Sequence, residues 1–186
     1  PDAALALLAR CGCPVSEALA TTMRAQQPTV APPHPVHIIA NAQTALDAAE
    51  GEAARHGWTV VRIGDALEGD AAQMGRAHAA LAMNYAQQSG RFLLLSGGEL
   101  TVQVKAKGGR GGPNLEYLTA LMAALPNGAP VAALACDTDG IDGSADNAGG
   151  YFDAECRADA AACEAALSAN NTYPLFAQMG GLIITG

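Results

Sequence analysis

From residue 36 onward, short apolar runs alternate with stretches of helical periodicity, and that alternation leaves few folds open to the chain. Apolar strands are expected at 36–40, 58–63, 92–95, 131–136 and 182–185, with helices at 42–56, 71–88, 115–125 and 158–168. Residues 100–104 alternate: Leu100, Val102 and Val104 share one face, and Thr101, Gln103 and Lys105 the other. Strands separated by helices of this length pair in parallel through crossover helices. The runs at 92–95 and 100–104 are too close for a crossover and predict a hairpin. The expected class is therefore α/β, a three-layer sandwich with a mostly parallel, mixed sheet.

Two short helical patterns precede this, with Leu5, Leu7 and Leu8 on one stripe and Val15, Leu19 and Met23 on another. Gly12 and Pro14 break them apart. Pro28, Pro32, Pro33 and Pro35 then predict a linker, since that density fits neither a helix nor a central strand. The expected division is a helical tail over 1–30, belonging to a missing N-terminal domain, and a C-terminal α/β domain over 31–186. The chain starts at Pro1 in a helical pattern and stops at Gly186 after an apolar run, so a fragment is expected.

Half of the residues are hydrophobic but only 4% are aromatic, so the core must come from Ala, Leu, Val and Ile. With a formal net charge of −8 and ten basic residues, the chain lacks the clustered cations that nucleic acid or an anionic membrane surface requires. No apolar run approaches the roughly 20 residues of a spanning helix. Five cysteines without metal or disulfide spacing predict reduced thiols and a cytoplasmic protein. His34, His37, His56 and His78 pair with no nucleophile and receive no catalytic role.

Ligands of open α/β sheets bind where loops leave the carboxyl ends of strands. Asn41 ends the first strand, as a helix cap, a ligand contact or both. Ser96, Gly97, Gly98 and Glu99 offer either a nest of amides for an anion or a tight hairpin turn. The segment from Lys105 to Glu116 is more specific. It holds the only two lysines, Lys105 and Lys107, then Gly108, Gly109, Arg110, Gly111 and Gly112, and a helix start at Pro113 and Asn114. A glycine-rich turn feeding a helix N-terminus presents free amides and a positive dipole end to phosphate, with Arg110 placed to offset phosphoryl charge. A flexible charged loop is the plainer alternative. Neither GxxxxGK[ST] nor GxGxxG is present. Asp137, Asp139 and Asp142 crowd one short loop, which suits Mg²⁺ held through one or two carboxylates and nucleotide phosphates, or else an Asx-rich turn. Asn170 and Asn171 precede a short helical stretch as caps or ligand contacts.

In this order, the segments at 96–99, 108–116, 137–143 and 170–173, with the closing Ile184, Thr185 and Gly186, resemble the C-terminal region of the MOFRL-domain glycerate 2-kinases. Many members of that family carry the older label hydroxypyruvate reductase. The resemblance covers nearly the whole chain, with the MOFRL-type core from about residue 91. It implies ATP-dependent phosphorylation of D-glycerate to 2-phosphoglycerate with Mg²⁺, in a site between two domains. It also implies that Arg110 contacts the reacting phosphate or the substrate carboxylate. Leu115 stands where the family has Gln, Cys136 where it has a small residue, and a final segment is missing. The fragment alone is therefore expected to be inactive. A homodimer is left open, as are an NAD(P)H-dependent hydroxypyruvate reductase and a non-catalytic ligand-binding module.

Overall fold

The computed structural model describes residues 1–26 and 35–185, which fall into two compact units, Pro1–Ile39 and Ala40–Gly186. Pro28, Pro32, Pro33, His34 and Gly186 lie outside the described residues.

The first unit holds the two expected helices, α1 (Asp2–Arg10) and α2 (Glu17–Ala25). Ser16 caps α2 by accepting from the Leu19 amide at 3.3 Å. Arg24 Nε donates to Asp2 Oδ1 at 2.9 Å. The strand expected at 36–40 does not form. Val36, Ile38 and Ile39 are 84%, 79% and 94% exposed and join no ladder among the described residues. An apolar run becomes a strand only when a neighbour takes up its backbone groups.

The second unit begins with α3 (Ala42–Arg55), β1 (Thr59–Asp70), α4 (Ala71–Ala86) and β2 (Phe92–Thr101). β1 and β2 pair in parallel from Thr59↔Phe92 to Asp70↔Thr101, with α4 as the crossover and α3 packed on the same ladder. The hairpin expected between 92–95 and 100–104 is absent: one strand runs unbroken from Phe92 to Thr101, and 102–104 are not strand. The ladder absorbs irregularity on the β1 side instead, with register shifts around Gly64 and Leu67. Gly98 is needed at this point: its φ is +154°, and a β-carbon there would collide with the Leu67 backbone.

α5 (Pro113–Ala124) follows, then β3 (Ala133–Cys136), β4 (Gly149–Phe152), α6 (Ala160–Ser168), α7 (Tyr173–Met179) and β5 (Leu182–Ile183). The last three strands form an antiparallel sheet in the order β3-β4-β5. The α/β class therefore stands, with parallel and antiparallel pairing both present. β4 escapes a pattern reading because it opens with Gly149 and Gly150. Side chains there would strike the Ala135 backbone, Leu115 and Phe176.

α5 is the central element. Leu115, Glu116, Leu118, Thr119, Ala120, Leu121 and Met122 are all buried, so the helix is covered on nearly every side. It packs on α4, α6, β3 and β4, and its leucines join Phe152, Cys163 and Phe176 in the main core. Each fully buried leucine stabilises by roughly 1.5–3 kcal/mol. Where α4 crosses α5, Gly75 admits no side chain: a β-carbon would lie 2.9 Å from the Leu121 nitrogen and 3.1 Å from Ala120 Cβ. Gly75→Ala should therefore destabilise by about 1–3 kcal/mol despite the better helix propensity of alanine. A urea-unfolding midpoint equal to or above wild type would contradict this packing.

Candidate functional site

The glycine-rich segment leaves β2 and runs along the start of α5. Residues 102–107 are irregular rather than strand, and Asn170 holds them in place. Asn170 adopts φ +47°, the left-handed region that asparagine tolerates better than most side chains. From there its Oδ1 accepts from the amides of Lys105 at 2.6 Å and Ala106 at 3.1 Å. Its Nδ2 donates to the Gln103 carbonyl at 3.1 Å and to Glu116 Oε2 at 3.2 Å. Asn171 Oδ1 accepts from the Arg110 amide at 3.0 Å. The two asparagines thus hold the entry to the glycine loop and its middle. A β-carbon on Gly109 would run into the carbonyls of Ala169 and Asn170, which is why the close approach demands glycine.

Beside Asn170 lies an open pocket of about 530 Å³. Lys107, Gly108, Gly109, Gly111, Glu116 and Asn170 line it, with Val102 and Val104 as apolar wall. The amides of Lys107, Gly108, Gly109, Gly111 and Gly112 have no hydrogen-bond partner among the described residues. Glu116 is 3% exposed, and its Oε1 is also unpartnered among the described residues. Burial pushes its carboxyl above the ordinary range, against the Asn170 hydrogen bond and the Lys105 charge.

The start of α5 is not free to receive a phosphate. Asp142, fully buried, sits on it: Oδ1 accepts from the Asn114 amide at 2.9 Å, and Oδ2 from the Leu115 amide at 3.0 Å. Asn114 Nδ2 adds bonds to Asp137 Oδ2 at 2.9 Å and to Asp142 Oδ1 at 3.3 Å. Gly112 itself has no side chain with which to cap the helix, and a β-carbon there would collide with Asp142. A carboxylate from a distant loop therefore fills both the cap position and the positive end of the dipole. Burial raises the Asp142 carboxyl, and the donors from Asn114 and Leu115 offset part of that.

This geometry bears on magnesium. Asp137, Asp139 and Asp142 do not converge: Asp142 is spent on α5, and exposed Asp139 accepts from the Ile141 amide at 3.0 Å in its own turn. Among the described residues no three His, Cys, Asp or Glu side chains form a metal-holding group. As a three-carboxylate set for Mg²⁺ these aspartates do not fit. Asp137 is raised first by burial and then, against the Asn114 bond, by the charges of Asp142, Asp139 and Glu99.

The Arg110 guanidinium lies over the Tyr173 ring, 4.0 Å from its centroid, and 3.4 Å from Asp146 Oδ1. Its carbonyl accepts from the Tyr173 amide at 3.0 Å, the first free amide of α7. The Tyr173 hydroxyl beside Asp146 lowers that carboxyl and is itself raised by it. Tyr173 and Asp146 carried no assigned role in the sequence. Two Tyr and Asp signals 27 positions apart offer nothing to join them until the fold does.

The remaining candidates lie elsewhere. Asn41 is the cap of α3, accepting from the Thr44 amide at 2.9 Å. Ser96, Gly98 and Glu99 are paired strand residues opposite Gly64, Leu67 and Glu68, and Gly97 lies between them on the same strand, so the four form neither a turn nor an amide nest. They do not line the pocket. All five cysteines are free thiols, and no described helix is long and apolar enough to cross a membrane.

Residues 92–186 match the MOFRL family. The chain is 39% identical over 160 residues to an Agrobacterium vitis protein provisionally named hydroxypyruvate reductase, covering 81% of this chain and 42% of that protein. It is 30% identical over 192 residues to the D-glycerate 2-kinase of Thermotoga maritima, covering 98% of this chain and 46% of that protein. A crystal structure of glycerate kinase from Thermotoga maritima superposes with a TM-score of 0.79 at 29% identity, again over 98% of this chain and 46% of that one. The chain thus spans less than half the length of these relatives.

Proposed function

The chain belongs to the MOFRL family, and on that premise we propose that it forms one wall of an ATP-dependent glycerate 2-kinase site that converts D-glycerate to 2-phosphoglycerate. The observation that carries this reading is the glycine loop: unengaged amides at 107–109 and 111–112 surround Arg110, in a chain whose net charge is −8. Such amides suit phosphate oxygens, and a guanidinium beside them offsets the charge of a transferring phosphoryl group. Arg110 is held from its own backbone, while its guanidinium touches Asp146 only at 3.4 Å, so an anion competes for it easily. In the transfer, the 2-hydroxyl oxygen of glycerate bonds to the γ-phosphorus and gives up its proton to water, the bond from the γ-phosphorus to the β–γ bridging oxygen breaks, and ADP leaves.

The phosphate rests on the glycine loop rather than on the start of α5, which Asp142 already occupies. No step is assigned to the Asp137, Asp139 and Asp142 set. We assign residues 1–30 to the preceding region of the longer protein. We also assign the other catalytic groups to sequence that the relatives have and this chain lacks, so the 186-residue chain alone should release almost no ADP. The test is ADP release by the full-length protein with D-glycerate and Mg·ATP, run beside NAD(P)H oxidation with hydroxypyruvate. ADP release without hydride transfer supports the kinase. Hydroxypyruvate-dependent NAD(P)H oxidation without ADP release sinks it in favour of the reductase, the reaction for which the Agrobacterium vitis relative is named.

A further inference from the structure

We infer that Tyr173 is the positioning residue for Arg110, its ring acting as the shelf that holds the guanidinium toward the bound anion. This rests on the kinase reading of the same site. An arginine side chain on an exposed glycine loop has many rotamers, and ordering it costs conformational entropy. Arg110 is set between Gly109 and Gly111, whose missing side chains give it no flanking support. Its backbone is fixed twice, by Asn171 Oδ1 on the amide and by the Tyr173 amide on the carbonyl. Neither bond directs the side chain.

Two contacts do. The guanidinium carbon lies over the Tyr173 ring, 4.0 Å from its centroid, and Asp146 draws the group from the side at 3.4 Å. The ion pair is exposed and long, so it contributes little. The ring contact is the geometric restraint, since a ring face restricts the guanidinium to one plane while leaving its N–H edge free for oxygen atoms. One residue therefore fixes both ends of Arg110, the backbone through its amide and the charged head through its ring. The shelf is the ring face; the hydroxyl lies beside both Asp146 and Arg110.

The experiment uses the full-length protein with Tyr173→Phe, Tyr173→Leu, Arg110→Ala and the Arg110→Ala/Tyr173→Leu double variant. Tyr173→Leu should lower kcat for ADP release about ten- to a hundredfold, the scale of a misplaced catalytic group. Tyr173→Phe should stay within about threefold of wild type, because it keeps the ring. The double variant should be no slower than Arg110→Ala alone, since a shelf without its arginine has nothing to present. That non-additivity separates positioning from a plain loss of stability, which would add to the defect.

An unchanged kcat in Tyr173→Leu overturns the inference. So does a phenylalanine variant as slow as the leucine one, or a double variant slower than Arg110→Ala. If wild type releases no ADP, the kinase reading fails by itself. The shelf is then read by calorimetric titration with inorganic phosphate: Tyr173→Leu should bind at least fivefold more weakly and Tyr173→Phe as tightly as wild type, and any other order overturns it.

Discussion

Replacing Arg110 with alanine in the full-length protein should lower kcat for ADP release by about a thousandfold, while the melting temperature hardly moves. The two halves of that expectation come from different parts of the geometry. The side chain is more than half exposed at 56%, and its ion pair to Asp146 is longer than a good charge-assisted hydrogen bond, so folding gains little from it. Catalysis asks more of it. Phosphoryl transfer needs charge compensation that strengthens as the transition state forms, and Lys107, which also lines the pocket, is a point charge without the two-pronged donor edge of Arg110. Arg110→Lys should fall between the two, because an ammonium restores the charge but neither the stacking plane nor the two-pronged donor edge. Steady-state ADP release decides the matter: an alanine variant within threefold of wild type would remove Arg110 from the site.

Asp142→Ala should be the most destabilising exchange at the candidate residues, at roughly 3–5 kcal/mol. The carboxylate is wholly buried and takes both backbone amides at the start of α5, plus the Asn114 side chain. Truncation leaves those donors without an acceptor and opens a void beside Gly112. Since α5 carries the leucines of the main core, a loosened first turn spreads directly into packing. Denaturant unfolding without magnesium gives the test. A cap predicts the full loss there, and added Mg²⁺ restores none of it. If Asp142 were instead a metal ligand, the metal-free alanine variant would be as stable as wild type and only Mg²⁺-dependent stabilisation would vanish.

Local signals in the sequence were legible where the structure uses them locally. Asn41 before a helical pattern is the cap of α3, and Gly112 followed by Pro113 marks the start of α5. The glycine loop and the paired asparagines were legible as separate polar segments. That Asn170 and Asn171 are the clamps of the loop was not, because nothing in either segment encodes the other. The glycine pair misled for a physical reason: glycine serves tight turns and close backbone approach alike, and here the partner strand's irregularity at Gly64 and Leu67 requires the second at Gly98. The same ambiguity hid β4. The acidic loop misled through chemistry, since a carboxylate suits a helix start as well as a cation. Only the 27-position reach from Leu115 to Asp142 shows which it serves here.

The clamps also set a schedule. Lys105 and Asn170 stand 65 positions apart, and Arg110 and Asn171 stand 61 apart. During synthesis the glycine loop leaves the ribosome several seconds before the asparagines that shape it, at roughly 5–20 residues per second. Throughout that interval Lys105, Lys107 and Arg110 lie on a nascent segment with no partner to fold against, and each is a cleavage point for trypsin-like proteases. The anion loop is thus one of the last parts of the molecule to acquire its form, and the one most exposed when translation stalls short of residue 171.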